Sequence, residues 1–298
     1  MPPSDITLFT ASSTGRGRDS NDAANKTREK ILLDSFNGKT ADMLMDPTYG
    51  EDWRRIAELF AAALAELGGE GPITVKAMGG RGYNYDFAVT RGDCKHKVEF
   101  KFGGTSVQSI PEFFNPAANK PFHDRLYADF FYENHLAEIA ALYGLVLPPK
   151  NEYMKEIHRN SSRHKFFVEF RAAEAAHPEH YSAKGKLVAA SVRAYLELAK
   201  DSTKLGVLTA EFMRSQRGKR FLIFSGGKFH HDQISDAELT AKSVVGIRNG
   251  NLLVIQSEAP GTTHEMLLRW KNHLGVLFPA WQISMRRAKP ATPPQSPS

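Results

Sequence analysis

Along the first third of the chain the spacing of apolar positions changes from helical to extended. In DWRRIAELFAAALAELGG, residues Trp53, Ile56, Ala57, Phe60, Ala63, Leu64 and Leu67 recur every three or four positions. That spacing predicts one apolar helix face over 52–67, ended by Gly68 and Gly69. Three runs with strand character follow: ITVKAM (73–78), YNYDFAVT (83–90) and KHKVEFKF (95–102). A stretch with Pro111, Pro116 and Pro121 then leads into an amphipathic helix around 123–143, and 150–200 continues helical. After Arg214 the pattern turns β-rich. FLIFS (221–225) reads as a buried strand, SVVGI and NLLVIQ flank the hairpin signal Asn249-Gly250, and AWQISM (280–285) reads as a closing strand. Thr262 and Glu265 have the spacing of a capping box, which predicts a helix around 263–274. Helix, three strands, helices and further strands, in that order, predict an α/β (α+β) fold with flanking helices.

Composition divides the chain further. Residues 1–27 are polar and read as a disordered N-terminal arm, and 288–298 (AKPATPPQSPS) as a disordered Pro/Ser tail. Between them, 28–145 reads as the core, 146–213 as a basic helical segment and 214–287 as a β-rich C-terminal part.

The pair of strands around Gly92-Asp93 carries the chemistry. A two-residue turn with Gly in its first central position sets Arg91 opposite Cys94. It also sets Phe87 opposite Val98, Tyr85 opposite Phe100, Tyr83 opposite Phe102 and Val89 opposite His96. These residues form one apolar face able to pack on the preceding helix, and a slip of one residue would scramble it. The other face then opposes Asp86 to Glu99 and Asn84 to Lys101. Like charges directly opposed on a sheet destabilise the pair, so a proton, Lys101 or a cation must compensate. A hard ion such as Mg²⁺ (or Mn²⁺), held by one or two carboxylates and by substrate phosphate, suits the arrangement. The competing reading is a solvated face on which Lys97, Glu99 and Lys101 are surface charges.

Asp86, followed after twelve residues by Glu99-Phe100-Lys101, resembles the D…ExK signature of the PD-(D/E)XK, or restriction-endonuclease-like, nuclease superfamily. Glu99-Phe100-Lys101 is the only Glu-x-Lys triplet in the chain, and Tyr85 stands where the signature's name has proline. The resemblance covers roughly residues 50–145. It implies a restriction-endonuclease-like core with a central mixed sheet, and metal-dependent hydrolysis of phosphodiesters by an endonuclease, with DNA the favoured substrate. It also implies Asp86, Glu99 and the Phe100 carbonyl as ligands of Mg²⁺ and Lys101 as the residue acting on the attacking water. Glu58, on the predicted helix, is a candidate third carboxylate, although an ion pair with Arg55 explains it as well.

The remaining candidates concern substrate. The net charge of +6 favours an acidic partner, nucleic acid first. Arg81 in GGRGYN, Asn84 and Gln108 lie around the signature. Arg217, Lys219 and Arg220 fall in RSQRGKRFLIFSGGKFHH, a stretch dense in cations with interleaved aromatics. The adjacent pair His230-His231 points to opposite sides of a strand and makes no zinc site. Cys94 is the only cysteine. Together with the lack of a long apolar run or signal pattern, it predicts an intracellular protein, cytoplasmic or nuclear, with no membrane partner. Cutting both strands of a duplex would call for a homodimer. The alternative from another class is a non-catalytic nucleic-acid-binding or assembly module that retains the nuclease fold.

Overall fold

The structure is a computed structural model. It describes the backbone of residues 1–10, 18–79, 83–109, 112–114, 123–157, 163–273 and 276–288; the side chains of 18–22, 109, 112–114, 271–273 and 276–278 are outside the description. In chain order the elements are α1 (Arg18–Phe36), α2 (Ala41–Leu44), α3 (Gly50–Ala65), β1 (Ile73–Ala77), β2 (Phe87–Arg91), β3 (Cys94–Phe102) and β4 (Glu112–Phe114). Then come α4 (Tyr127–Asn134), α5 (Leu136–Leu142), α6 (Lys150–Glu156), α7 (Lys165–Ala176), α8 (Tyr181–Ser202) and α9 (Leu205–Gln216). The chain continues with β5 (Lys219–Ser225), β6 (Lys228–Asp232), α10 (Asp236–Leu239), β7 (Ala241–Arg248), β8 (Leu252–Ser257), β9 (Thr263–His273) and β10 (Val276–Arg286). The mixed α/β class expected from the sequence is present. No helix among the described residues is long and apolar enough to cross a membrane.

The elements gather into two compact units, one of Met1–Ile110 with Ser215–Ser235, the other of Pro111–Arg214 with Asp236–Ser298. This division differs from the one read from composition. β5 and β6 belong to the sheet of the first unit, because β5 pairs in parallel with β3. A residue buried in a parallel pairing carries no composition mark of the distant strand it pairs with.

The first unit holds a sheet in the order β1-β2-β3-β5-β6. All of its pairings are antiparallel except β3 with β5. The apolar stripe of α3 is buried as the spacing predicts: Trp53, Ile56, Phe60, Ala63 and Leu64 pack with Val75, Phe87, Val89, Val98, Phe100 and Leu222. One segment joins this core against expectation. Ile6 and Phe9, in the N-terminal stretch read as disordered, are buried in it, and the Phe9 ring lies 5.1 Å from that of Phe224. Helix α1 adds Ile31 and Leu32, both fully buried. The apolar residues of 1–27 are sparse, and burying them depends on a core built elsewhere.

The second unit holds a fully antiparallel sheet in the order β4-β10-β9-β8-β7 with helices α4 to α10. The expected helix at 123–143 is interrupted at His135, which separates α4 from α5. The expected helix at 263–274 is strand β9. Glu265, read as a capping residue, is buried on that strand between Arg248 at 2.5 Å and Arg286 at 3.3 Å. Inside the unit, the Trp270 indole N–H donates to the Tyr127 hydroxyl at 3.0 Å, and that hydroxyl shares a 2.6 Å bond with Ser191.

Candidate functional site

The hairpin forms in the predicted register: Phe87 faces Val98, Val89 faces His96 and Arg91 faces Cys94. Gly92 at the turn has φ 55°, a left-handed value at no steric cost for glycine. The register stops at Phe87, so the predicted strand over 83–90 is shorter than expected and the pairs Tyr85–Phe100 and Tyr83–Phe102 do not form. Asp86 causes the break. Its N–H donates to the Val98 carbonyl at 3.0 Å, while the Phe100 N–H donates to the Asp86 carboxylate at 2.8 Å instead of to a main-chain oxygen. Its own carbonyl accepts from the Met78 N–H at 2.8 Å. The carboxylate thus caps the ladder and is pinned beside the backbone of β3, rather than facing Glu99 as a cross-strand partner.

Glu99 and Lys101 stand two residues apart on β3, on the same face. Glu99 is only 7% exposed and is held between two cations. The Lys101 ammonium donates to Glu99 Oε1 at 2.6 Å, and the Lys219 ammonium to Oε2 at 3.3 Å. Lys219 opens β5 opposite Lys97 of β3, which brings its side chain to the Glu99 face. It is 3% exposed, so the surface role in gripping nucleic acid expected for it is corrected: it is an internal counter-ion.

A third carboxylate joins from α1. Glu29 is half-buried, and its carboxyl is pushed up to about 7, first by burial and then by the charge of Asp86, with Glu99 adding to it and Lys101 opposing. Sequence reasoning assigns the helix acid to Glu58. That residue is exposed on the side of α3 away from Ile56 and Phe60. Glu29 escapes a sequence reading that takes residues 1–27 as a disordered arm and so cuts through α1. The spacing of Ala24, Thr27, Arg28, Ile31 and Leu32 is the signal that finds the helix.

The remaining candidates scatter. Asn84 is exposed, and its amide donates to the Ser215 carbonyl at 2.5 Å. Gln108 sits in the short 3-10 turn Val107–Ser109 after β3, which is anchored where the Val107 N–H meets the Asp232 carboxylate at 2.8 Å. Arg220 pairs with the Gln233 side chain, and Arg217 is exposed. Arg81 lies outside the described residues.

The donor set of Asp86, Glu99 and Glu29 is all carboxylate oxygen, which suits a hard ion of the Mg²⁺ or Mn²⁺ kind. Glu29, raised by burial and by two neighbouring negative charges, is in the condition that such an ion relieves. The fit is one of donor chemistry, since each oxygen of Glu99 already accepts from a lysine and would have to use its second lone pair. Comparison with family models, with curated proteins and with solved structures finds no match.

Proposed function

We propose that the chain is a metal-dependent nuclease that hydrolyses phosphodiester bonds, with DNA as substrate. The observation that carries the reading is the gathering of Asp86, Glu99, Lys101 and the half-buried Glu29 at one end of the β2–β3 hairpin. The arrangement of α3, three antiparallel strands and a fourth strand parallel to β3 supports a restriction-endonuclease-like core. Asp86, Glu99 and Glu29 would hold Mg²⁺ or Mn²⁺, which when bound supplies positive charge to the phosphate and acidifies water. Lys101, a quarter exposed, reaches both Glu99 and solvent, so its ammonium can orient the attacking water and offset charge on the phosphate. Lys219 fixes the Glu99 carboxylate from the buried side. The Phe100 main chain, clamped by Asp86, sets where the two acids stand relative to each other.

One observation favours the second reading, a non-catalytic nucleic-acid-binding or assembly module. Glu99 is already balanced by two lysines and needs no ion to be stable. A single experiment separates the two. Wild type, Glu99→Gln and Lys101→Ala are incubated with supercoiled plasmid, single-stranded DNA and RNA, with Mg²⁺, Mn²⁺ or chelator, after circular dichroism has established that each variant is folded. The nuclease reading expects metal-dependent cleavage that falls by about 10²-fold or more in both variants. Nucleic-acid binding that is indifferent to chelator, with no cleavage by wild type, would establish the module instead.

A further inference from the structure

Among the described residues, three metal-ligating atoms converge within 4.8 Å of one another at His177, Glu179 and His180. These residues link α7 to α8, and Pro178–His180 form a single 3-10 turn. Residues three apart eclipse in such a turn, which brings the two imidazoles to one side. The rings are 5.7 Å apart and tilted by 34°. Glu179 Oε1 stands 3.0 Å from His177 Nδ1 and 3.8 Å from His180 Nε2. All three side chains reach solvent, with exposures of 52%, 60% and 36%, so an ion can enter and keep water.

A second, independent feature lies against the cluster. Tyr143, at the end of α5, meets the His180 ring edge-on at 5.7 Å. It is 7% exposed, and its buried hydroxyl has no hydrogen-bond partner among the described residues. A buried hydroxyl without a partner costs roughly 1–3 kcal/mol, so this one, on a ring packed against His180, calls for a partner that the protein itself does not supply among the described residues.

We propose that His177, Glu179 and His180 bind one late first-row divalent cation, with Zn²⁺ as the reference ion, and that the Tyr143 hydroxyl bonds to a water in the fourth position. Two imidazoles and a carboxylate form a borderline donor set that suits Zn²⁺, Ni²⁺ or Cu²⁺ and discriminates against Mg²⁺. The cation takes the place of the hydrogen bond between His177 and Glu179, and it needs the ring nitrogens it binds free of protons, so affinity falls as the imidazoles become protonated at acid pH. One ion there ties the end of α7 to the start of α8. This site is separate in residues and in chemistry from the carboxylates of the β2–β3 hairpin, and stands whether or not the chain is a nuclease.

The test is calorimetric titration of the full chain, free of any polyhistidine tag, with Zn²⁺ and separately with Mg²⁺ as competitor. Variants are His180→Ala, Tyr143→Phe and, as control, Glu99→Ala. The expected result is one Zn²⁺ per chain, undisturbed by Mg²⁺ and by Glu99→Ala. Affinity should fall at least tenfold in His180→Ala and about tenfold in Tyr143→Phe. Co²⁺ substitution should give a visible ligand-field band in wild type that is absent in His180→Ala. No uptake of Zn²⁺, uptake unchanged in His180→Ala, or uptake abolished by Glu99→Ala would overturn the site. Tyr143→Phe binding as tightly as wild type would overturn the role of the hydroxyl.

Discussion

Glu29 stands on α1 within electrostatic reach of Asp86 and Glu99, and burial together with those charges lifts its carboxyl from 4.5 to about 7. The sign of the linkage follows directly. Between these two values the native chain holds a proton that the unfolded chain has lost, so stability is complete below pH 4.5 and declines as pH rises towards 7. At 1.36 kcal/mol per unit the whole shift would be worth about 3 kcal/mol, and solvent screening of this part-exposed carboxyl reduces the loss to about 1–2 kcal/mol. Glu29→Gln should therefore be more stable than wild type by about 1–2 kcal/mol near pH 8, and equal to it near pH 4. Urea denaturation at the two pH values measures this. A variant less stable than wild type at the higher pH would show instead that the Glu29 charge is favourably paired in the native chain. If the carboxylates hold an ion, Mg²⁺ should restore more stability to wild type than to Glu29→Gln under the same conditions.

At the scale of elements, the hairpin depends on two glycines as much as on its apolar pairs. A Cβ on Gly92 would stand 2.6 Å from the Glu70 carbonyl oxygen, and one on Gly69 would stand 2.8 Å from that of Arg91. Both positions have positive φ, and the hairpin turn lies in close backbone contact with Gly69 and Glu70, the segment between α3 and β1. Gly38, with φ 70° and open space around it, carries the conformational constraint without the clash. Gly38→Ala should cost about 1 kcal/mol, and Gly92→Ala at least about 2 kcal/mol more, read from thermal melts. Equal losses would mean that the contact with Glu70 contributes nothing. The same hairpin shows what sequence can and cannot reveal. Its register is legible because the turn type and the pairs Phe87–Val98 and Val89–His96 agree independently. The end of β2 is not, because a side chain, Asp86, takes over a main-chain hydrogen bond, and no periodicity encodes that. β9 misleads for another reason: THEMLLRW has a plausible cap and apolar residues at helical spacing, yet its neighbours β8 and β10 supply the hydrogen bonds that make it a strand.

At the scale of the whole molecule, the first unit is assembled from chain segments separated by residues 111–214. The acids of the candidate site come from the first segment, while Lys219 and the buried strand β5 come from the second. Sequence marks FLIFS as buried but does not name its neighbour, because parallel pairing leaves no turn between the partners to fix a register. Leu222 tests the assembly. It is fully buried, faces Phe100 across the β3–β5 pairing and belongs to the core of α3 and the first sheet. Leu222→Ala should destabilise by about 2–5 kcal/mol, as large-to-small changes in a closed core do. The loss should be felt across the first unit: hydrogen exchange should quicken in peptides from α3, β2 and β3, all distant in sequence, more than in β8 and β9. Faster exchange confined to β5 and β6 would make those strands a separately stable appendage, and Lys219 a late addition to a site complete without it. Faster exchange in α3 and β3 would instead mean that the core under Asp86 and Glu99 exists only once both segments have come together.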